Sequence, residues 1–225
     1  MGLSQEGLKL IACVCMLIDH IGVLFFPQMD SFRIIGRISF PIFCFLLAEG
    51  AHYTRNPKKY AGRLALGVLL SEIPFDLAIY GGYNPRSCSV MVTLLLGYGA
   101  VVSMGRVKGV WKGLAVLPFF FLAELLGTDY AGRGIAIIAW FALVRDLERA
   151  ALWRFLGLVI LLQFGFPVPV GPFWVPMELF GLLSLIPIHF YRGEKRTTGN
   201  LVKWSFYLFY PVHLLALWGF LNFMQ

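Results

Sequence analysis

An all-α polytopic membrane fold of about nine transmembrane helices is predicted by three features of this sequence: an excess of apolar residues, the regular recurrence of bilayer-length apolar runs, and the placement of positive charge. Of 225 residues, 59% are hydrophobic and 14% charged, more apolar side chain than one water-soluble core buries. The runs fall near residues 8–27, 35–52, 61–80, 88–104, 110–126, 131–145, 152–166, 174–191 and 204–223, and each is of a length that crosses or nearly crosses a hydrocarbon layer. Cytoplasmic loops of membrane proteins collect Lys and Arg, and alternate loops of this chain do the same. Lys9; Arg55, Lys58, Lys59 and Arg63; Arg106, Lys108 and Lys112; Arg145, Arg149 and Arg154; and Arg192, Lys195, Arg196 and Lys203 make up 15 of the 19 basic residues. Only Arg33, Arg37, Arg86 and Arg133 fall in the other set. This split puts the N-terminus in the cytoplasm and the C-terminus outside.

Taken in order, the runs explain themselves by their punctuation. The first follows Met-Gly-Leu-Ser-Gln-Glu, which has neither the basic start nor the small-residue cleavage site of a secretory signal. It is read as a retained helix. The second carries Arg33 and Arg37 four apart near its outer end, and its Pro41 has no N–H to offer the carbonyl of Arg37. The third opens after the basic stretch HYTRNPKKYAGR and carries Glu72 and Asp76 on one face, with Pro74 between them. Glu124, Asp129 and Arg133 cluster where the fifth run gives way to the sixth, and Glu178 lies in the eighth. The ninth contains YPVHL, whose proline removes the hydrogen bond to the carbonyl of Tyr207 and predicts a kink beside Tyr210 and His213. No internal repeat or low-complexity linker interrupts the chain, so residues 1–225 are read as one integral-membrane domain.

Composition also excludes some functions. A net charge of +7 suits nucleic acid, but no soluble domain or basic-aromatic face carries such binding, and the charge is assigned to topology. Cys13, Cys15, Cys44 and Cys88 form no CxxC or Cys/His pattern, which predicts no structural zinc, no other metal site and no disulfide framework. Trp111, Trp153, Trp174 and Trp204 lie near run ends, where an interfacial aromatic belt accounts for them.

The chemistry is sought where charge meets lipid, because an ionisable side chain at bilayer depth costs a few kcal/mol and persists where it works. Asp19 and His20 lie roughly 16–18 Å along the first helix at about 1.5 Å per residue. With Arg33, Arg37, Glu72, Asp76, Glu124, Glu178, Tyr210 and His213 they are expected to line one outward-opening cavity. Buried Arg–carboxylate pairs also fix helix registry, and that reading stands beside the functional one for Arg33, Glu124 and Glu178. His20 is the strongest candidate, since an imidazole suits proton transfer near neutral pH. Asp19 projects about 100° away from it and either supports the ring or answers an arginine. His52 and His189, at cytoplasmic helix ends beside basic residues, are expected to be interfacial.

The ordered motifs LKLIACVCMLIDHIG, RIIGRISFPIFCFLLAEGAHYTRNPKKYAGRL, SEIPFDLAIY, TLLLGYG, DYAGRG and FYPVHL resemble the TraX family of bacterial inner-membrane proteins, over nearly the whole chain. The chain departs from that pattern at Ser87-Cys88, where the family has Gln-Asn, and at Ala131, where it has glycine. The resemblance implies a multi-pass inner-membrane acetyltransferase, related to transmembrane acyltransferases, that takes an acetyl group from cytoplasmic acetyl-CoA. The acceptor is an amine or hydroxyl at the outer side, a pilin-type peptide N-terminus or a glycan. It singles out His20 as the catalytic residue, as general base or acyl carrier. In the mechanism expected from the residues, Asp19 supports it directly or through a neighbour, and Arg37 or another outer-side donor stabilises the oxyanion. Arg33, Glu72, Asp76, Tyr210 and His213 are then expected to bind substrate, and Arg55, Lys58, Lys59 and Arg63 the phosphates of acetyl-CoA. Partners are lipid, acetyl-CoA and the acceptor, with no nucleic acid; a homo-oligomer is compatible. A proton-coupled transporter, using Glu72, Asp76 and His213 as a relay, is the alternative.

Overall fold

Ser4 caps the first helix: its hydroxyl accepts from the Gly7 amide at 3.1 Å, and Glu6 sits in the first turn against the helix dipole. The computed structural model describes residues 2–193 and 200–224. Lys195, Arg196 and the side chain of Lys203, counted above in the basic loops, lie outside the described residues. Among those described are α1 (Gln5–Phe25), α2 (Asp30–Gly36), α3 (Ser39–Tyr53), α4 (Pro57–Tyr80), α5 (Val90–Met104), α6 (Trp111–Leu125), α7 (Ala131–Leu143) and α8 (Ala150–Leu161). A hairpin of β1 (Pro167–Val170) and β2 (Phe173–Pro176) follows, then a 3-10 helix (Met177–Ser184), α9 (Leu185–His189) and α10 (Asn200–Met224).

The molecule is mostly helical and bears the apolar helices of a membrane-associated protein. Three stretches are long and apolar enough to cross a bilayer: Gln5–Phe25, Asp30–Tyr53 and Trp204–Met224. Shorter apolar helices accompany them at Val90–Met104, Ala131–Leu143, Ala150–Leu161 and Met177–His189. Leu114, Leu117, Phe121 and Leu125 on α6, and Val212, Phe220 and Phe223 on α10, are exposed, a surface that lipid covers without cost.

Two expected runs change character. The second breaks at Arg37–Ile38 into α2 and α3, because Pro41 withholds the N–H that would continue the helix across that point. The eighth does not begin as a helix at 174: Phe173–Pro176 pairs antiparallel with Pro167–Val170, Pro167 opposite Pro176 and Val170 opposite Phe173. Prolines at 167, 169, 172 and 176 deny a helix its donors, and Gly171 turns the hairpin at φ +58°. The seventh run stops early, with α8 ending at Leu161 and Gly165 turning the chain at φ +91°.

The chain divides into two compact units, Met1–Phe43 with Leu147–Gln225, and Cys44–Asp146. In the first, α1 packs on α2 and α10, and the 3-10 helix on α2 and α8. Glycines permit the α1–α2 approach, since a β-carbon at Gly22 would overlap Phe32 and one at Gly36 would overlap Asp19. In the second, α5 packs against α4, α6 and α7 around Ala100, Ala123 and Ile135. Gly97 admits Ile138 and Gly132 admits Phe120 in the same way. Asn56 and Pro57 start α4, Gly81 ends it in the left-handed conformation, and Ser89 caps α5.

Candidate functional site

Helical geometry sends Asp19 and His20 to different neighbours. Asp19 faces α2, where one carboxylate oxygen accepts from Arg37 Nη2 at 2.8 Å and the other from Arg33 Nη1 at 3.1 Å. Arg37 also donates through Nη1 to Glu178 of the 3-10 helix and through Nε to the carbonyl of Arg33 at 3.3 Å. Two carboxylates thus balance two guanidiniums, and the Arg37 and Glu178 side chains are about nine-tenths buried. Arg33 is the accessible member, its side chain 33% exposed.

His20 faces α10 instead. Its Nδ1 lies 2.8 Å from Nε2 of His213, with the rings stacked at 5.0 Å. The other nitrogen of His213, Nδ1, is 2.7 Å from the carbonyl oxygen of Phe209. Tyr210 packs edge-on to both imidazoles, its centroid 6.1 Å from His20 and 5.7 Å from His213. Tyr210 and His213 are buried while His20 keeps partial exposure. Within this unit the structure therefore brings together Asp19, His20, Arg33, Arg37, Glu178, Tyr210 and His213. Asp19 answers two arginines, and a histidine distant in sequence holds the His20 ring.

Glu72 and Asp76 belong to the second unit, where they tie down the loop ahead of α5. Glu72 accepts from the Ser89 amide at 3.2 Å and from its hydroxyl, and Asp76 Oδ2 accepts from the Asn84 amide at 3.1 Å. Asp76 is buried, and its Oδ1 has no hydrogen-bond partner. Burial, then the charges of Glu72 and Asp76, push the nearby Cys88 thiol above its ordinary value of 9.0. Glu124 accepts from the Gly132 amide at 3.1 Å. Arg86, Glu124, Asp129 and Arg133 are exposed, whereas Arg33 and Arg37 enter the network described. Long side chains at helix ends reach solvent more cheaply than they are buried.

Arg55, Lys58 and Lys59 are exposed around the start of α4, whose Asn56 cap accepts from the Lys59 amide at 2.9 Å. Arg63 is partly buried over Tyr60 at 5.3 Å. Tyr60 stacks on Tyr98, whose hydroxyl donates to the carbonyl of Pro57 at 3.2 Å. His52 and His189 are exposed at helix ends.

One buried pair was not singled out by sequence. Glu49 in α3 accepts from Arg145 Nε at 2.7 Å, and Arg145 also pairs with Asp146 and lies 4.9 Å over the Tyr53 ring. The signal was a lone acid in the apolar run FCFLLAEGAH.

These features define a helical membrane-associated protein with a paired-histidine site beside a charge-balanced ion-pair network. The chain belongs to the TraX protein family, whose model matches residues 4–221. It is 29% identical over 245 residues to the probable fimbrial assembly protein FimC, serogroup H1, of Dichelobacter nodosus, covering 99% of this chain and 97% of that protein. It is also 44% identical over 54 residues to an uncharacterized protein of Rickettsia prowazekii (strain Madrid E), 24% of this chain and 21% of that one. No solved structure matches.

Proposed function

We propose that this protein is a multi-pass inner-membrane acetyltransferase, N-terminus cytoplasmic and C-terminus outside, that transfers an acetyl group from acetyl-CoA to an acceptor amine or hydroxyl at the outer side. The observation that carries the reading is the His20 imidazole, half-buried, held by a second ring and set beside four balanced charges. Structural packing alone needs none of those polar groups in an apolar helix.

His20 acts as general base. It takes the proton from the acceptor's N–H or O–H as that atom bonds to the thioester carbon, and returns it to the thiolate that leaves, giving acetylated acceptor and free CoA thiol. Arg33, more accessible than Arg37, offers N–H donors to the oxyanion in this reading, with Asp19, itself paired to Arg37, holding its side chain. The phosphates of the donor are assigned to Arg55, Lys58, Lys59 and Arg63. The acceptor is assigned as an amine. The relative's name, a fimbrial assembly protein, favours a pilus-type subunit as the molecule that bears it.

The test uses purified protein in nanodiscs with acetyl-CoA labelled in its acetyl group and an acceptor peptide. Wild type transfers label and His20→Ala loses roughly 10²-fold or more of the rate; equal transfer by both removes His20 from the chemistry.

A further inference from the structure

We infer that His213 is the positioning residue that sets the tautomer of His20, so that Nε2 of His20 is the reactive nitrogen. The inference deepens the proposed acetyl transfer and rests on it for its catalytic meaning, but the tautomer itself stands on geometry alone.

The argument runs along a chain of hydrogen-bonding capacities. A peptide carbonyl only accepts, so the 2.7 Å contact between Phe209 O and His213 Nδ1 requires a proton on that nitrogen. In a neutral imidazole the other nitrogen then carries a lone pair, and His213 Nε2 must accept. Its partner at 2.8 Å is His20 Nδ1, which therefore donates. A neutral His20 protonated at Nδ1 has its lone pair on Nε2.

The neutral state follows from the neighbours. The charged groups around the pair are Asp19 on α1, Arg33 and Arg37 on α2 and Glu178 on the 3-10 helix; α10 contributes Tyr210, which is uncharged. Both carboxylates are already bound to guanidiniums, so an imidazolium here has no carboxylate of its own.

The helix supplies the anchor. Phe209 and His213 are four apart on α10, so the side chain bonds back to the carbonyl one turn earlier, and the Phe209 ring stacks on the imidazole at 4.7 Å. Pro211 between them leaves the Tyr207 carbonyl without its usual helix donor. The arrangement makes a relay. When His20 Nε2 takes the acceptor's proton, its Nδ1 proton passes to His213 Nε2, and the positive charge moves to a ring whose Nδ1–H already points at a carbonyl. The reverse transfer supplies the proton to the leaving thiolate. His213 thus fills the place that a carboxylate holds in a catalytic triad.

Four histidines make the test tractable. Full-length protein labelled with 15N in histidine is placed in nanodiscs, and the ring nitrogens are assigned by substitution, with exposed His52 and His189 as internal controls. The expected spectrum shows His20 protonated at Nδ1 and bare at Nε2, with scalar coupling to His213 Nε2 across the hydrogen bond. His213→Phe returns His20 to the Nε2–H form that free imidazole favours, while His213→Gln, whose carbonyl oxygen accepts, keeps the Nδ1–H form. A wild-type His20 protonated at Nε2, or one unchanged by His213→Phe, overturns the inference. The wild-type spectrum decides even if His213→Phe fails to fold. In the transfer assay, kcat falls roughly 10²-fold in His213→Phe with KM for acetyl-CoA unchanged, and is largely restored in His213→Gln. Full kcat in a folded His213→Phe overturns the positioning role. The expected spectrum without any acetyl transfer by wild type upholds the tautomer and refutes the enzyme reading.

Discussion

At the scale of single residues, the pair Asp19-His20 shows how far adjacency in sequence is from adjacency in function. One residue of helix rotation, about 100°, gives the carboxylate to α2 and the imidazole to α10. The reading in which Asp19 answers an arginine was legible, because mixed-sign charges recur in the apolar segments. The contact between His20 and His213 was not, since 193 residues separate them and no periodicity in one sequence links α1 to α10. Cys88 carries a prediction of its own. Burial and the charges of Glu72 and Asp76 raise its pKa, so less thiolate is present at a given pH. Removing one charge lowers the pKa, and alkylation of Cys88 at pH 8 should run several-fold faster in Glu72→Gln than in wild type, read by mass spectrometry of the modified peptide. An equal or slower rate would contradict the placement of these groups. Ala131 sits at φ 47°, in the left-handed region that glycine favours. A β-carbon there costs about 1–2 kcal/mol, partly offset by the greater freedom glycine brings to the unfolded chain, about 0.4–1 kcal/mol. Ala131→Gly should therefore raise stability by up to about 1 kcal/mol, seen as a higher Tm in detergent.

At the scale of elements, the apolar runs located the helices but not the irregular pieces. A run reports burial and length, and it is blind to the backbone donors that proline removes. That is why α2 and α3 read as one element and why the hairpin at 167–176 was taken in part for a helix. Its alternating prolines and Gly171 were visible, yet exposed Phe173 and Trp174 carry the same apolar signature in a strand as at a helix end. The Glu49–Arg145 pair joins α3 to the segment after α7 and tests element packing. Both side chains are at least about four-fifths buried, so Arg145→Ala leaves a buried carboxylate without its partner and should cost about 3–5 kcal/mol. Adding Glu49→Gln to it should recover most of the loss. A double variant no more stable than Arg145→Ala would show that the pair does not act as a unit.

At the scale of the whole molecule, composition and motif order were enough to indicate a helical, membrane-associated TraX family member. The expected site residues divide between the two units. Within the first unit a compact set of Asp19, Arg33, Arg37, Glu178, His20, His213 and Tyr210 holds the polar contacts, whereas Glu72 and Asp76 hold a loop in the second. The proposed transfer thus depends on one partly exposed imidazole whose surroundings are already charge-balanced. Its most direct test is mass spectrometry of cell-envelope peptides and glycans from cells carrying the wild-type protein, no protein, or His20→Ala. Acetyl transfer predicts a species heavier by one acetyl group in the wild type alone. An envelope of identical masses in all three would contradict it.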